Sequence, residues 1–107
     1  MVNYEEGKIY KIVCNKTGLI YIGSTTKHYL SDRLNEHSSR YKHYKDGKEK
    51  TKSTSYKIID NGDYDIILIE NYPCNSKDEL RARERFYIDQ FECINIQKTR
   101  TNNERMD

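Results

Sequence analysis

The chain has 107 residues, enough for one domain of ordinary size and too few for two. Leu, Ile, Val and Phe make up just under a fifth of it, at the edge of the disordered range, but a net charge of only +2 and ten tyrosines with large apolar rings keep the composition globular. There is no run of 18 apolar residues and no basic-then-apolar leader, which predicts an intracellular protein of cytoplasm or nucleus with no membrane partner and no secretion signal.

The first predicted element is a hairpin. Between Gly7 and Cys14, Ile9, Lys11 and Val13 alternate with Lys8, Tyr10 and Ile12, and Leu19 to Gly23 follows a short turn ending in Gly18. A helix is expected from about Ser31, a good N-cap residue, to about Tyr44, stopped by Asp46-Gly47. After a basic stretch, Thr54 to Asp60 reads as a short helix closed by Asn61-Gly62. Tyr64 to Glu70 reads as a third, well-buried strand ended by Pro73. Ser76-Lys77-Asp78-Glu79 is a capping box that opens a second long helix running to about Phe91. Cys93 to Ile96 is expected to be extended, and the polar tail from Thr99 to fray. The order ββ-α-α-β-α implies a small α+β domain, a three-stranded antiparallel sheet flanked by helices. It forms one unit over residues 1–107, with its core at about 7–97 and a tail at 98–107.

Charge is unevenly spread. Residues 40–57 carry seven basic and two acidic groups, whereas residues 58–107 carry seven basic and eleven acidic ones. The basic stretch interleaves Arg40, Lys42, Lys45, Lys48, Lys50 and Lys52 with tyrosines and hydroxyls, a surface suited to a phosphate backbone or simply a solvated loop. Cys14, Cys74 and Cys93 are odd in number and lack CxxC spacing, so they fit reduced thiols. His28, His37 and His43 pair with none of them at zinc-finger spacing.

Several polar residues fall where apolar ones are expected. At about 100° per residue, Glu84 lies in the apolar stripe of the second long helix, among Leu80, Tyr87, Phe91 and Ile88. A partly buried carboxylate needs a salt-bridge partner or a bound cation. On the first long helix, Arg33 and His37 are four residues apart beside the Leu30, Leu34 and Tyr41 stripe. They suit a shared partner, such as a phosphate or a tyrosine oxygen, or else Arg33 pairs with Asp32 or Glu36 while His37 fills space. In the hairpin, Tyr10 and Tyr21 are either core residues or site residues, and Gly23 either admits a close approach or ends the strand.

Together these residues resemble the GIY-YIG nuclease superfamily over about residues 7–97. Lys8-Ile9-Tyr10 and Tyr21-Ile22-Gly23 match its two naming tripeptides, Arg33 its helical arginine, His37 the histidine of many members, Glu84 its metal-binding glutamate and Asn95 its C-terminal asparagine. Lys8 stands where the first motif has glycine, with Gly7 one residue earlier. The resemblance implies an endonuclease that hydrolyses DNA, duplex or branched, with one divalent cation, Mg²⁺ or Mn²⁺, held by Glu84. It further implies that Tyr10 activates water with the help of His37, that Arg33 and Tyr21 stabilise charge on phosphate and leaving oxygen, and that Asn95 orients groups. A noncatalytic nucleic-acid-binding module and a partner-binding domain are the rival readings. Family members usually carry a separate targeting domain, which leaves the basic stretch, a homodimer or a separate targeting protein to supply specificity.

Overall fold

The computed structural model describes residues 2–48 and 53–96. The predicted hairpin is present: β1 (Lys8–Cys14) pairs antiparallel with β2 (Ile20–Thr25), and the Gly18 amide donates to the Cys14 carbonyl at 2.8 Å to close the turn. Helix α1 (Leu30–Lys45) follows, then the short α2 (Tyr56–Ile59), strand β3 (Tyr64–Asn71) and helix α3 (Lys77–Gln90). Single 3-10 turns lie at Tyr4–Glu6 and at Ile94–Ile96. The sheet is antiparallel throughout with strand order β2-β1-β3, so the fold is the expected α+β arrangement.

Strand alternation divides the core in two. Tyr10, Ile12 and Cys14 of β1 pack with Ile58 of α2 and with Leu30 and Leu34 of α1. Ile9 of β1 and Ile22 of β2 pack with Leu80 and Ile88 of α3. The sheet is therefore sandwiched, with α1 and α2 on the Tyr10 face and α3 on the Ile9 face.

Four local expectations change. The strand read as well buried, β3, is an edge strand; its Ile67 and Leu68 remain 44% and 42% exposed because the edge position leaves part of the apolar run uncovered. Ser31 is not the N-cap of α1: Tyr29 is, with no side-chain cap, and Ser31 lies within the first turn. The short helix contracts to one turn at Tyr56–Ile59, and Ile94–Ile96 forms a 3-10 turn in place of an extended piece. The capping box at α3 holds in part. Ser76 Oγ accepts from the Glu79 amide at 3.2 Å, while the Glu79 carboxylate reaches back one residue further, to the Asn75 amide at 2.6 Å.

Gly7 explains how the chain enters β1 beside Lys8. A Cβ on Gly7 would stand 2.5 Å from the Tyr72 carbonyl oxygen and 3.1 Å from Leu80, so only glycine fits. Lys8 is held at the start of β1 by its largely buried side chain, whose ammonium donates to the Glu6 and Lys27 carbonyls at 2.8 and 2.9 Å.

Candidate active site

Tyr10 and Gly23 are cross-strand partners in the β1–β2 ladder. Gly23 takes a negative-φ strand conformation that any residue could adopt, so backbone freedom is not its reason. A Cβ there would overlap the hydroxyl and ring carbon of Tyr10, whose phenol lies across the Gly23 backbone. The missing side chain is what lets the phenol reach α1.

At the end of that phenol the Arg33 and His37 pair finds the shared partner its spacing demands. Arg33 Nε donates to Tyr10 Oη at 3.0 Å, and Tyr10 Oη lies 2.8 Å from His37 Nε2. His37 is buried, and its Nδ1 lies 3.1 Å from Ser55 Oγ, itself fully buried and 3.1 Å from Ser53 Oγ. Burial, reinforced by the Arg33 charge, pulls the His37 pKa down to about 4, so the ring is neutral at pH 7 and carries one proton. Burial pushes the Tyr10 phenol above its ordinary range despite the opposing Arg33 charge, so the hydroxyl is protonated and donates. His37 Nε2 must then accept, which places the ring proton on Nδ1 as a donor to Ser55. The ordered relay is Arg33 to Tyr10 to His37 to Ser55. Burial works against the Arg33 charge, but Tyr10 and the Glu36 carboxylate outweigh it. Arg33 Nη1 donates to Glu36 at 2.8 Å, as the alternative reading of that residue required.

The buried neutral histidine has a measurable consequence. Unfolded, His37 titrates near pH 6.5; folded, it titrates near 4, so the unfolded chain binds the extra proton first and stability falls as pH drops from about 6.5 to about 4. Urea unfolding at pH 7 and pH 5 should show wild type losing more stability than His37→Gln, by about 2 kcal/mol at about 1.36 kcal/mol per unit. Equal losses would show that His37 is not held neutral by the fold.

Glu84 approaches from the opposite face. It is half-buried on α3, as its place in the apolar stripe predicts, and its Oε1 accepts from Ser24 Oγ at 2.5 Å. Ser24 pairs with Ile9 in the ladder and so faces α3, while Tyr21 and Gly23 face α1. The free edge of β2 is where the two faces meet. An open cavity of 370 Å³ there is walled by Tyr21, Gly23, Ser24, Arg33, Glu84 and, further along α3, Arg81 and Arg85. Asn95 secures this edge: Ile22 N donates to its Oδ1 at 2.9 Å and its Nδ2 donates to Ile22 O at 2.7 Å. The asparagine thus occupies the place of a fourth strand and holds the backbone between Tyr21 and Gly23.

A divalent cation fits this wall in one manner. Among the described residues no group of three or more His, Cys, Asp or Glu side chains could cage a metal. One half-buried carboxylate, open to a water-sized space and with no ion-pair partner within 4.0 Å among the described residues, suits a hard cation that keeps most of its waters and takes phosphate oxygen as a further ligand.

The structure therefore brings Tyr21, Gly23, Arg33 and Glu84 to one cavity, sets Tyr10 and His37 directly behind its Arg33 wall, and assigns Asn95 to the strand edge. The basic stretch is not part of that cavity. Lys42, Lys45 and Lys48 line a separate open hollow of 500 Å³ at the end of α1, and Arg40 is exposed on α1, near enough for its charge to act on His37. Lys50 and Lys52 lie outside the described residues, as does the 98–107 tail. Sequence reasoning missed Ser24 and Ser55. Ser24 could have been found from its place directly after Tyr21-Ile22-Gly23 on the Glu84 face. Ser55 carries no such signal, being one hydroxyl in a polar segment 18 residues from His37. A larger cavity of 570 Å³ lies between the β1–β2 turn and the end of α3. Its charged wall residues are Asp89 and Glu92, so it offers nothing to an anionic substrate.

Against known proteins, the family model described as the GIY-YIG catalytic domain matches residues 6–102. Among solved structures, the catalytic domain of the intron endonuclease I-TevI, determined as a point mutant, superposes with a TM-score of 0.58 at 19% sequence identity. The match covers 78% of this chain and 81% of that one, a likeness of fold. No curated protein sequence matches the chain significantly. A family match that spans nearly the whole chain, together with the same antiparallel sheet and helices, shows that this chain belongs to the GIY-YIG family of nuclease domains.

Proposed function

We propose that the chain is a DNA endonuclease that hydrolyses phosphodiester bonds with one divalent cation, Mg²⁺ or Mn²⁺, held at Glu84. The observation that supports this best is the convergence across the β2 edge: a carboxylate from one face of the sheet and Tyr21 with Arg33 from the other share one open cavity. When bound, the cation supplies Lewis-acid stabilisation of charge on the scissile phosphate and leaving oxygen.

The chain's own groups divide the remaining work. Arg33 has Nε on Tyr10 and Nη1 on Glu36, which leaves Nη2 for a nonbridging phosphate oxygen. Tyr21 lines the cavity, and burial with the nearby Glu84 charge raises its phenol pKa, so it acts as a neutral hydrogen-bond donor to the phosphate. Tyr10 is fully buried with its hydroxyl held between Arg33 Nε and His37 Nε2, so the attacking water must reach it past the Arg33 wall of the cavity. The water proton passes to Tyr10 Oη as the Tyr10 proton passes to His37 Nε2, while Nδ1 keeps its proton on Ser55. A phosphate anion in the site favours the imidazolium and disfavours a phenolate, so the shuttle ends on His37.

The test is supercoiled plasmid with purified protein. Wild type should nick or cut it in Mg²⁺ or Mn²⁺ and not in EDTA. Glu84→Gln should lose about 10²-fold or more, the rate equivalent of several kcal/mol of cation stabilisation. Binding without cleavage in either metal would replace this reading with a noncatalytic nucleic-acid-binding module.

A further inference from the structure

Helix α3 carries three arginines around Glu84, and only one has a structural duty. Arg83 makes a two-pronged pair with Glu70, with Nε at 2.7 Å and Nη2 at 3.2 Å, and its guanidinium lies 4.5 Å from the Phe86 ring centre. It is fully engaged. Arg81 and Arg85 differ. Both are exposed, both line the cavity that holds Glu84, and at i and i+4 they share a helix face as like charges, an arrangement that disfavours the free helix. No described carboxylate lies within ion-pair distance of Arg81. Arg85 reaches Asp89 at 3.5 Å, with side chains 54% and 48% exposed, a pair worth close to nothing in water. With Arg33, the cavity wall sets three guanidiniums against one carboxylate. Such a wall is electrostatically incomplete without an anion beyond the one that Glu84 and Arg33 serve.

We propose that Arg81 and Arg85 form a phosphate subsite that grips the DNA backbone next to the scissile phosphate, on the α3 side of the Glu84 cavity. The proposal rests on the nuclease reading for the position of the scissile phosphate. Guanidinium forks match phosphate oxygens two at a time, and their location one helical turn apart and on either side of Glu84 lets them track a strand that runs along the β2 edge. They would fix register and orientation and carry no base specificity.

The experiment measures binding of a fluorescein-labelled 20-base-pair duplex by anisotropy, in EDTA so that nothing is cleaved, from 50 to 200 mM KCl. Each of Arg81→Ala and Arg85→Ala should weaken binding and flatten the slope of log K against log salt by about 0.9, the equivalent of one phosphate contact, and the double variant by about twice that. Arg81→Lys should restore most of the slope. Lys16→Ala, on the exposed β1–β2 turn, removes one charge away from the cavity and should leave the slope unchanged. A double variant with the wild-type slope overturns the proposal, as does a wild type that binds no duplex at 50 mM KCl, or a Lys16→Ala slope that falls as far. The two readings separate cleanly. Wild type that cleaves plasmid while the double variant keeps its slope sinks only the subsite; flattened slopes with no cleavage sink the nuclease and leave a backbone-binding site.

Discussion

Replacing Tyr10 with phenylalanine should lower the single-turnover rate of DNA cleavage by about 10²- to 10⁴-fold, the usual cost of losing a proton-transfer group. The ring stays, so the packing of Tyr10 against Ile12 and Ile58 stays with it. The hydroxyl goes, and with it the bond from Arg33 Nε at 3.0 Å and the bond to His37 Nε2 at 2.8 Å. Leaving a buried imidazole nitrogen unpaired costs about 1–3 kcal/mol, so the variant should melt lower and still fold. Cleavage with enzyme in excess, beside a circular-dichroism melt, separates the two effects. A folded Tyr10→Phe that cuts at the wild-type rate would remove the phenol from the chemistry.

Gly23→Ala should be nearly as damaging to cleavage although it changes no functional group. The added methyl overlaps the Tyr10 hydroxyl and ring, and both lie on backbone and buried side chains with little room to yield. Overpacking of this kind costs about 1–3 kcal/mol of stability. Moving the phenol by even about 1 Å breaks its alignment with Arg33 and His37, which can cost about 10²-fold in rate. Duplex affinity should hold within a few fold, because the cavity's arginines are untouched. Rate and affinity measured on the same preparation decide the matter. Unchanged cleavage would mean that Tyr10 tolerates displacement, and a parallel collapse of binding would mean that the mutation unfolds the β2 edge.

Much of this arrangement is written in local sequence pattern. Alternation in Gly7 to Cys14 places Tyr10 and Ile9 on opposite faces, the i,i+4 spacing of Arg33 and His37 implies a common partner, and the helical wheel puts Glu84 among apolar neighbours. Those features are short-range, and the structure keeps them. What local pattern cannot encode is strand order and burial depth. The run from Tyr64 to Glu70 reads as a well-buried strand, yet β1 takes the central place and β3 the edge, with the ladder shifted at Ile9/Tyr10. Ser55 joins the site only because α2 folds its N-terminal end against α1, a contact between segments with no shared periodicity. The layering of Tyr10 behind Arg33 likewise depends on where α1 docks over the sheet.

The central claim is that groups from the two faces of the sheet, Tyr10 and Glu84, act as one catalytic unit across the β2 edge. It is tested most directly by the initial rate of plasmid cleavage in Mg²⁺ for wild type, Tyr10→Phe, Glu84→Gln and the double variant. Residues that act as a unit are strongly non-additive. Each single variant should lose about 10²-fold or more, with the double variant no worse than the weaker of the two. Either single variant cutting at the wild-type rate, or losses that multiply in the double variant, would contradict it.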